Sequence, residues 1–112
     1  MSVLKTYNIT FQTIEYWGKT MFSPHLALNQ LVMDSRDSTD ADDAIGALEL
    51  ILNGTILQNF FISESAITVE VNPDVTKLYD SPEYNNSTPV LFSLPTKDLL
   101  EIFKYWKKFL VL

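Results

Sequence analysis

The chain has 112 residues, of which 46% are hydrophobic and 12% aromatic, with no cysteine and a formal net charge of −6. That length predicts one domain, residues 1–112, with a core large enough to hold without staples, and the apolar share excludes global disorder. Without cysteine there is no disulfide scaffold and no thiolate zinc site. The acidic balance is the reverse of what phosphate neutralisation needs, so no direct nucleic-acid binding is expected.

The charge is uneven: residues 1–33 carry +1, 34–43 carry −4, 44–93 carry −5 and 94–112 carry +2. The start, Met1-Ser2-Val3-Leu4-Lys5, lacks the uninterrupted apolar stretch of a secretory signal. No segment approaches the roughly 18 apolar residues of a membrane span. A cytoplasmic protein with no membrane contact is expected.

In chain order, residues 5–13 alternate, with Tyr7, Ile9 and Phe11 on one side and Asn8, Thr10 and Gln12 on the other, which predicts a half-buried strand. Gly18 breaks the pattern after Tyr16-Trp17, and Trp17 is expected to pack. Residues 24–33 fit a helix or a strand; Ser23-Pro24, a capping hydroxyl before a first-turn proline, tips the reading to a helix.

Residues 39–53 predict a second helix, because Ala41, Ile45, Leu48 and Leu52 recur at helical spacing. Ser38 or Thr39 is the expected cap, Asn53-Gly54 the left-handed stop, and Gly46 a mark of close packing. Short strands are expected at Ile56 to Ile62, Ala66 to Val71, Thr76 to Tyr79 and Val90 to Ser93. Asn72-Pro73-Asp74 reads as a turn, since proline presets one backbone angle and the flanking acid and amide bond nearby backbone. After Pro95-Thr96 comes an amphipathic helix, with Lys97, Glu101, Lys104 and Lys108 on one face and Leu99, Phe103, Trp106 and Leu110 on the other. The predicted fold is α+β: a single domain in which an antiparallel sheet of four to five short strands packs with two to three helices, the C-terminal amphipathic one included.

Conventional catalytic sets do not assemble from this sequence. The one histidine, His25, follows Ser23-Pro24, and there is no Gly-x-Ser-x-Gly elbow for a serine hydrolase. The calcium-loop pattern fails in both registers tried: from Asp37 the glycine position holds Asp42, and from Asp40 the twelfth position is Ile51. Fourteen acids give many carboxylate pairs, and no single pair stands out for glycoside chemistry. No catalytic residue, metal or cofactor is assigned.

Two surfaces are candidates for partner binding. The first is the acid run Asp34, Asp37, Asp40, Asp42 and Asp43, opposed only by Arg36. The helix dipole accounts for the later three, whereas Asp34 and Asp37 lie upstream of the expected cap and are either a solvated lead-in or a surface for positive charge. The second is Tyr79-Asp80-Ser81-Pro82-Glu83-Tyr84, where tyrosines flank acids in a proline-ordered loop; such rings serve either as interface anchors or as cover for the core edge. Tyr16-Trp17 beside Glu15 is a third, weaker candidate. Asp34, Asp37, Asp40, Asp43, Tyr79, Asp80, Glu83 and Tyr84 are therefore the expected contact residues.

The chain resembles the bacterial immunity proteins of contact-dependent growth inhibition. The likeness is carried by the helix Asp40-Ala41-Asp42-Asp43-Ala44-Ile45-Gly46-Ala47-Leu48, the Asn53-Gly54 stop, and the ending Ser93-Leu94-Pro95-Thr96-Lys97-Asp98-Leu99-Leu100-Glu101-Ile102-Phe103 with Trp106-Lys107-Lys108-Phe109-Leu110. It spans most of the length. The resemblance implies a cytosolic, non-enzymatic inhibitor that binds the toxic C-terminal domain of a cognate effector. The expected partner is a basic nuclease domain, a ribonuclease, whose active-site cleft a monomer covers in a 1:1 complex. A small carboxylate-based enzyme or ligand-binding domain is the alternative.

Overall fold

The computed structural model describes residues 2–63, 66–80 and 87–112. Among them, in chain order, are α1 (Val3–Thr6), β1 (Thr10–Ile14), β2 (Gly18–Phe22), α2 (Leu26–Met33), α3 (Ser38–Leu52), β3 (Asn59–Ile62), β4 (Thr68–Val71), β5 (Val75–Tyr79), β6 (Phe92–Pro95) and α4 (Thr96–Leu110). All pairings are antiparallel: β1 with β2 in a two-stranded ribbon, and β3-β4-β5-β6 in a four-stranded sheet. The fold is α+β, as the alternating helical and strand patterns predict, with strands divided between two sheets. Its radius of gyration, 13.5 Å, is that of one compact domain of this length, about 13 Å.

The core lies between the four-stranded sheet and the helices. Leu99, Ile102, Phe103 and Trp106 of α4 repeat at three- and four-residue steps and are all buried, as the helical spacing requires. They meet Leu48 and Ile51 of α3, Val69 and Val71 of β4, Leu78 of β5, and Leu28 and Val32 of α2. The β4–β5 turn forms at Asn72-Pro73-Asp74: the Asn72 amide bonds the Val75 carbonyl at 3.1 Å, and the Asp74 carboxylate accepts the Val75 N–H at 2.8 Å. Thr96, at the head of α4, is fully buried against this turn, donating its hydroxyl to the Asn72 carbonyl and sharing a 2.8 Å bond with Thr76.

Several elements depart from the sequence reading. Residues 5–13 are not one strand: Ser2 caps the short α1 by accepting the Leu4 N–H at 3.2 Å, and Asn8 takes a left-handed φ of 54° that ends any extended run before β1. Gly18 closes the turn that ends the first alternation, as expected, with a left-handed φ of 83°. It turns the chain into β2, a strand the sequence reading missed. At α2 the Ser23 hydroxyl does accept a backbone N–H, that of His25 at 3.1 Å, and donates to Asn29 Oδ1 at 2.6 Å while Asn29 Nδ2 donates to the Ser23 carbonyl at 2.9 Å, but Pro24 does not become the first helical residue. The helix starts two residues later, after His25.

The cap of α3 is Asp37, not Ser38 or Thr39; its carboxylate accepts the Asp40 N–H at 2.9 Å. Asp37 is therefore a structural residue, contrary to its expected place upstream of the cap. Gly54 does adopt the left-handed stop, at φ 82°. Gly46 marks no close packing, since a Cβ there would meet nothing within 4 Å. Strand β6 starts at Phe92 rather than Val90 and runs into Pro95, tolerated because β6 is an edge strand of its sheet.

Candidate partner-binding surface

The acid run does not form one patch. Asp34 ends α2, half-buried at its C-cap, and Asp37 caps α3. Asp40 stands exposed in the first turn of α3, where the helix dipole favours a carboxylate. Asp42 turns toward α4 and pairs with Lys107 at 2.6 Å. Asp43 points another way, to the rim of an apolar groove of about 330 Å³ walled by Ala44, Ala47 and Leu48 of α3 and Phe61 of β3. Successive residues on a helix are about 100° apart, so a surface meeting Asp43 need not meet Asp42. Capping accounts for Asp37 and ion pairing for Asp42, and Asp34 is half-buried, which leaves Asp40 and Asp43 as exposed charge that among the described residues neither caps a helix nor forms an ion pair.

Of the second predicted surface, the structure buries Tyr79 and exposes Asp80. Tyr79 is 4% exposed and within 3.5 Å of Glu70 Oε1 through its hydroxyl, so it covers the core edge and is no anchor for a partner. Its burial follows from β5 lying inside the sheet, between β4 and β6. Asp80 is exposed just past the end of β5. Glu83 and Tyr84 lie outside the described residues.

The surface that sequence reasoning undervalued is the β1–β2 hairpin. Its register runs from Thr10↔Phe22 to Ile14↔Gly18, and the Trp17 N–H closes the turn on the Ile14 carbonyl at 3.1 Å. At the tip Tyr16 is 96% and Trp17 84% exposed, so the expected packing of Trp17 is overturned. Tyr16 holds a left-handed φ of 70°, a region bulky side chains seldom enter. The signal available in the sequence was Glu15-Tyr16-Trp17-Gly18 between two polar–apolar stretches, with glycine where the turn needs φ 83°.

Behind the tip runs a groove of about 700 Å³, with Trp17 and Phe22 on the hairpin side and Met33, Arg36, Trp106 and Leu110 opposite. Of the α2–α3 connection only Arg36 lines this groove, so the charged residues of its wall, Arg36 and Lys19, are both basic. Lys19, also in its wall, spends its ammonium on the end of α4 and the residues after it, donating to backbone oxygens of Leu110 and Leu112 at 2.9 Å each. Compared with known proteins, the chain matches no family model, no curated sequence and no solved structure.

His25 stacks on the Phe92 ring, 4.6 Å between centroids, with Tyr7 edge-on at 6.1 Å. Tyr7 in turn donates its hydroxyl to Asp98 at 2.7 Å. Burial, the hydrogen bond to Asp98 and that carboxylate's charge together push the Tyr7 hydroxyl well above the usual tyrosine range. This cluster joins the N-terminal segment to α4, and His25 serves in it as a packed ring. Among the described residues no group of three metal-ligating side chains comes together, and no helix is long and apolar enough to cross a membrane.

Proposed function

We propose that this protein is a cytoplasmic binding module of the immunity type, which neutralises a basic nuclease domain, a ribonuclease, by covering its active-site cleft in a 1:1 complex. The observation that supports this reading best is the exposed negative charge of Asp40 and Asp43 on α3, in a molecule that also presents an exposed aromatic tip at the β1–β2 hairpin. Carboxylates on such a surface accelerate encounter with a basic partner, and desolvated aromatic area then sets how long the complex lasts.

The test pairs the chain with the C-terminal domain of the effector encoded immediately upstream of it. Calorimetry is expected to show a 1:1 complex, and RNA cleavage by that domain is expected to stop at one equivalent. An upstream frame that encodes no such effector, or a domain that neither binds nor is inhibited, removes the proposal. The apolar groove rimmed by Asp43 favours a second reading, a ligand-binding domain. A melting temperature raised by small apolar amines, and unmoved by the basic domain, would select it.

A further inference from the structure

We infer that the hairpin tip Glu15-Tyr16-Trp17 is the part of the molecule that enters the partner's basic cleft, its two rings standing where substrate bases stack and the Glu15 carboxylate where a phosphate binds. The inference rests on the toxin-neutralising reading and specifies how that reading is carried out.

Three observations meet at the tip. Tyr16 and Trp17 are the two most exposed aromatics in the described chain, at 96% and 84%, although a groove lined by Phe22, Met33 and Leu110 lies directly behind Trp17. Rings that only needed shelter would fold back into it. Next, Tyr16 is held at φ 70° by a turn whose ends are fixed by the paired strands, a backbone conformation that an aromatic residue enters at a cost. The turn projects the tip outward, and a glycine at position 16 would make the same turn without that cost and without the ring. The tip's chemistry, finally, is complementary to a cleft built for single-stranded nucleic acid. Such clefts line up Lys and Arg for phosphates and stacking surfaces for bases. Aromatic faces attract those same cations, and Glu15, exposed beside the rings, adds the negative charge.

The described chain has one tryptophan on each side of the question, which supplies the readout. Trp106 is 1% exposed and Trp17 is 84% exposed, so iodide quenching of the free protein reports Trp17. Mixed with the toxin domain encoded upstream, the wild-type protein is expected to lose that quenching and shift its emission to the blue. A Trp17→Phe control, which leaves Trp106 alone, is expected to show neither change. The double variant Tyr16→Ser, Trp17→Ser is expected to melt as the wild type does, since it removes no buried contact. It should associate at an unchanged rate but dissociate ~10-fold faster or more, with ribonuclease activity returning accordingly. A double variant that dissociates like the wild type, or a Trp17 that stays quenchable in the complex, overturns the inference and leaves the toxin-neutralising reading in place. A wild-type protein that does not bind at all overturns that reading, and the inference with it.

Discussion

The indole N–H of Trp106 donates to the backbone carbonyl of Ser35 at 2.7 Å, joining the C-terminal helix to the α2–α3 connection across 71 positions of chain. The bond is buried, and it fixes the segment that carries Asp34, Arg36 and Asp37 relative to α4. Trp106 thus has two jobs, filling the core and positioning a charged connection that borders the hairpin groove.

Trp106→Ala should therefore be severe. Truncating a buried aromatic costs about 3–5 kcal/mol, against a total stability of about 5–15 kcal/mol for a domain of this kind. Trp106→Phe keeps most of the volume but leaves the Ser35 carbonyl without its donor, at about 1–3 kcal/mol. Urea unfolding of the two variants checks the order. A Trp106→Ala protein that unfolds at the wild-type midpoint would move this ring out of the core.

Asp37→Ala should lose about 0.5–2 kcal/mol, because the Asp40 N–H loses its acceptor at the start of α3. Asp37→Ser should recover most of it, since a hydroxyl caps as well as a carboxylate. If serine and alanine are equally damaging, charge at this position matters more than the cap. The ion pair of Asp42 with Lys107 is a weaker support, since both side chains are about half exposed and such pairs contribute roughly 0–1 kcal/mol.

Helices α3 and α4 were legible in the sequence because their buried positions recur at helical spacing. The α3 cap was legible too: Asp37-Ser38-Thr39-Asp40 has an acid at the capping position, and the hydroxyl residues after it diverted the reading. Strand β2 was not, because Lys19-Thr20-Met21-Phe22 offers only two apolar residues and one buried side chain, Met21. The strand exists through pairing with β1, a contact that no local pattern records. The candidate site suffered from a different ambiguity. Tyrosine and tryptophan serve cores and interfaces alike, so composition could not tell that Tyr79 goes in while Tyr16 and Trp17 stay out.

Gly46→Ala should stabilise α3 by about 0.5–1 kcal/mol, as alanine loses less backbone entropy on folding and the added methyl meets open space. Gly54→Ala should do the opposite, because φ 82° is strained for any residue with a Cβ. Thermal melts of the two single variants are the check, and a destabilised Gly46→Ala would mean the exposed face of α3 is packed in solution.

Tyr7 makes stability depend on alkaline pH. Its hydroxyl holds its proton more tightly in the folded chain than in the unfolded one, mainly through burial and then through Asp98. The resulting stabilisation is fully present below the ordinary tyrosine value of about 10, and it is lost as pH rises above that towards the higher folded value. Stability should therefore fall above about pH 10. In Tyr7→Phe the fall should be shallower, from a lower starting stability since the bond to Asp98 is gone. Identical slopes in the two proteins between pH 9 and 11 would dissociate the tyrosine from the alkaline transition.

Charge reversal separates encounter from residence. Asp40→Lys and Asp43→Lys alter exposed positions that neither cap α3 nor pair with Lys107, whereas Asp37 is unsuitable for this test because it is the cap. Asp40→Lys gives up a favourable dipole interaction of about 0.3–1 kcal/mol, a small drop in melting that leaves the fold intact. Against a basic toxin domain the two reversals should slow association and flatten its dependence on salt, with dissociation nearly unchanged. Attraction between surface charges acts before contact and is screened over about 8–10 Å at ordinary ionic strength. Surface-capture kinetics at two salt concentrations read both rates. If association is the same for wild type and reversals at low salt, the head of α3 does not steer the partner, and its acids serve the helix alone.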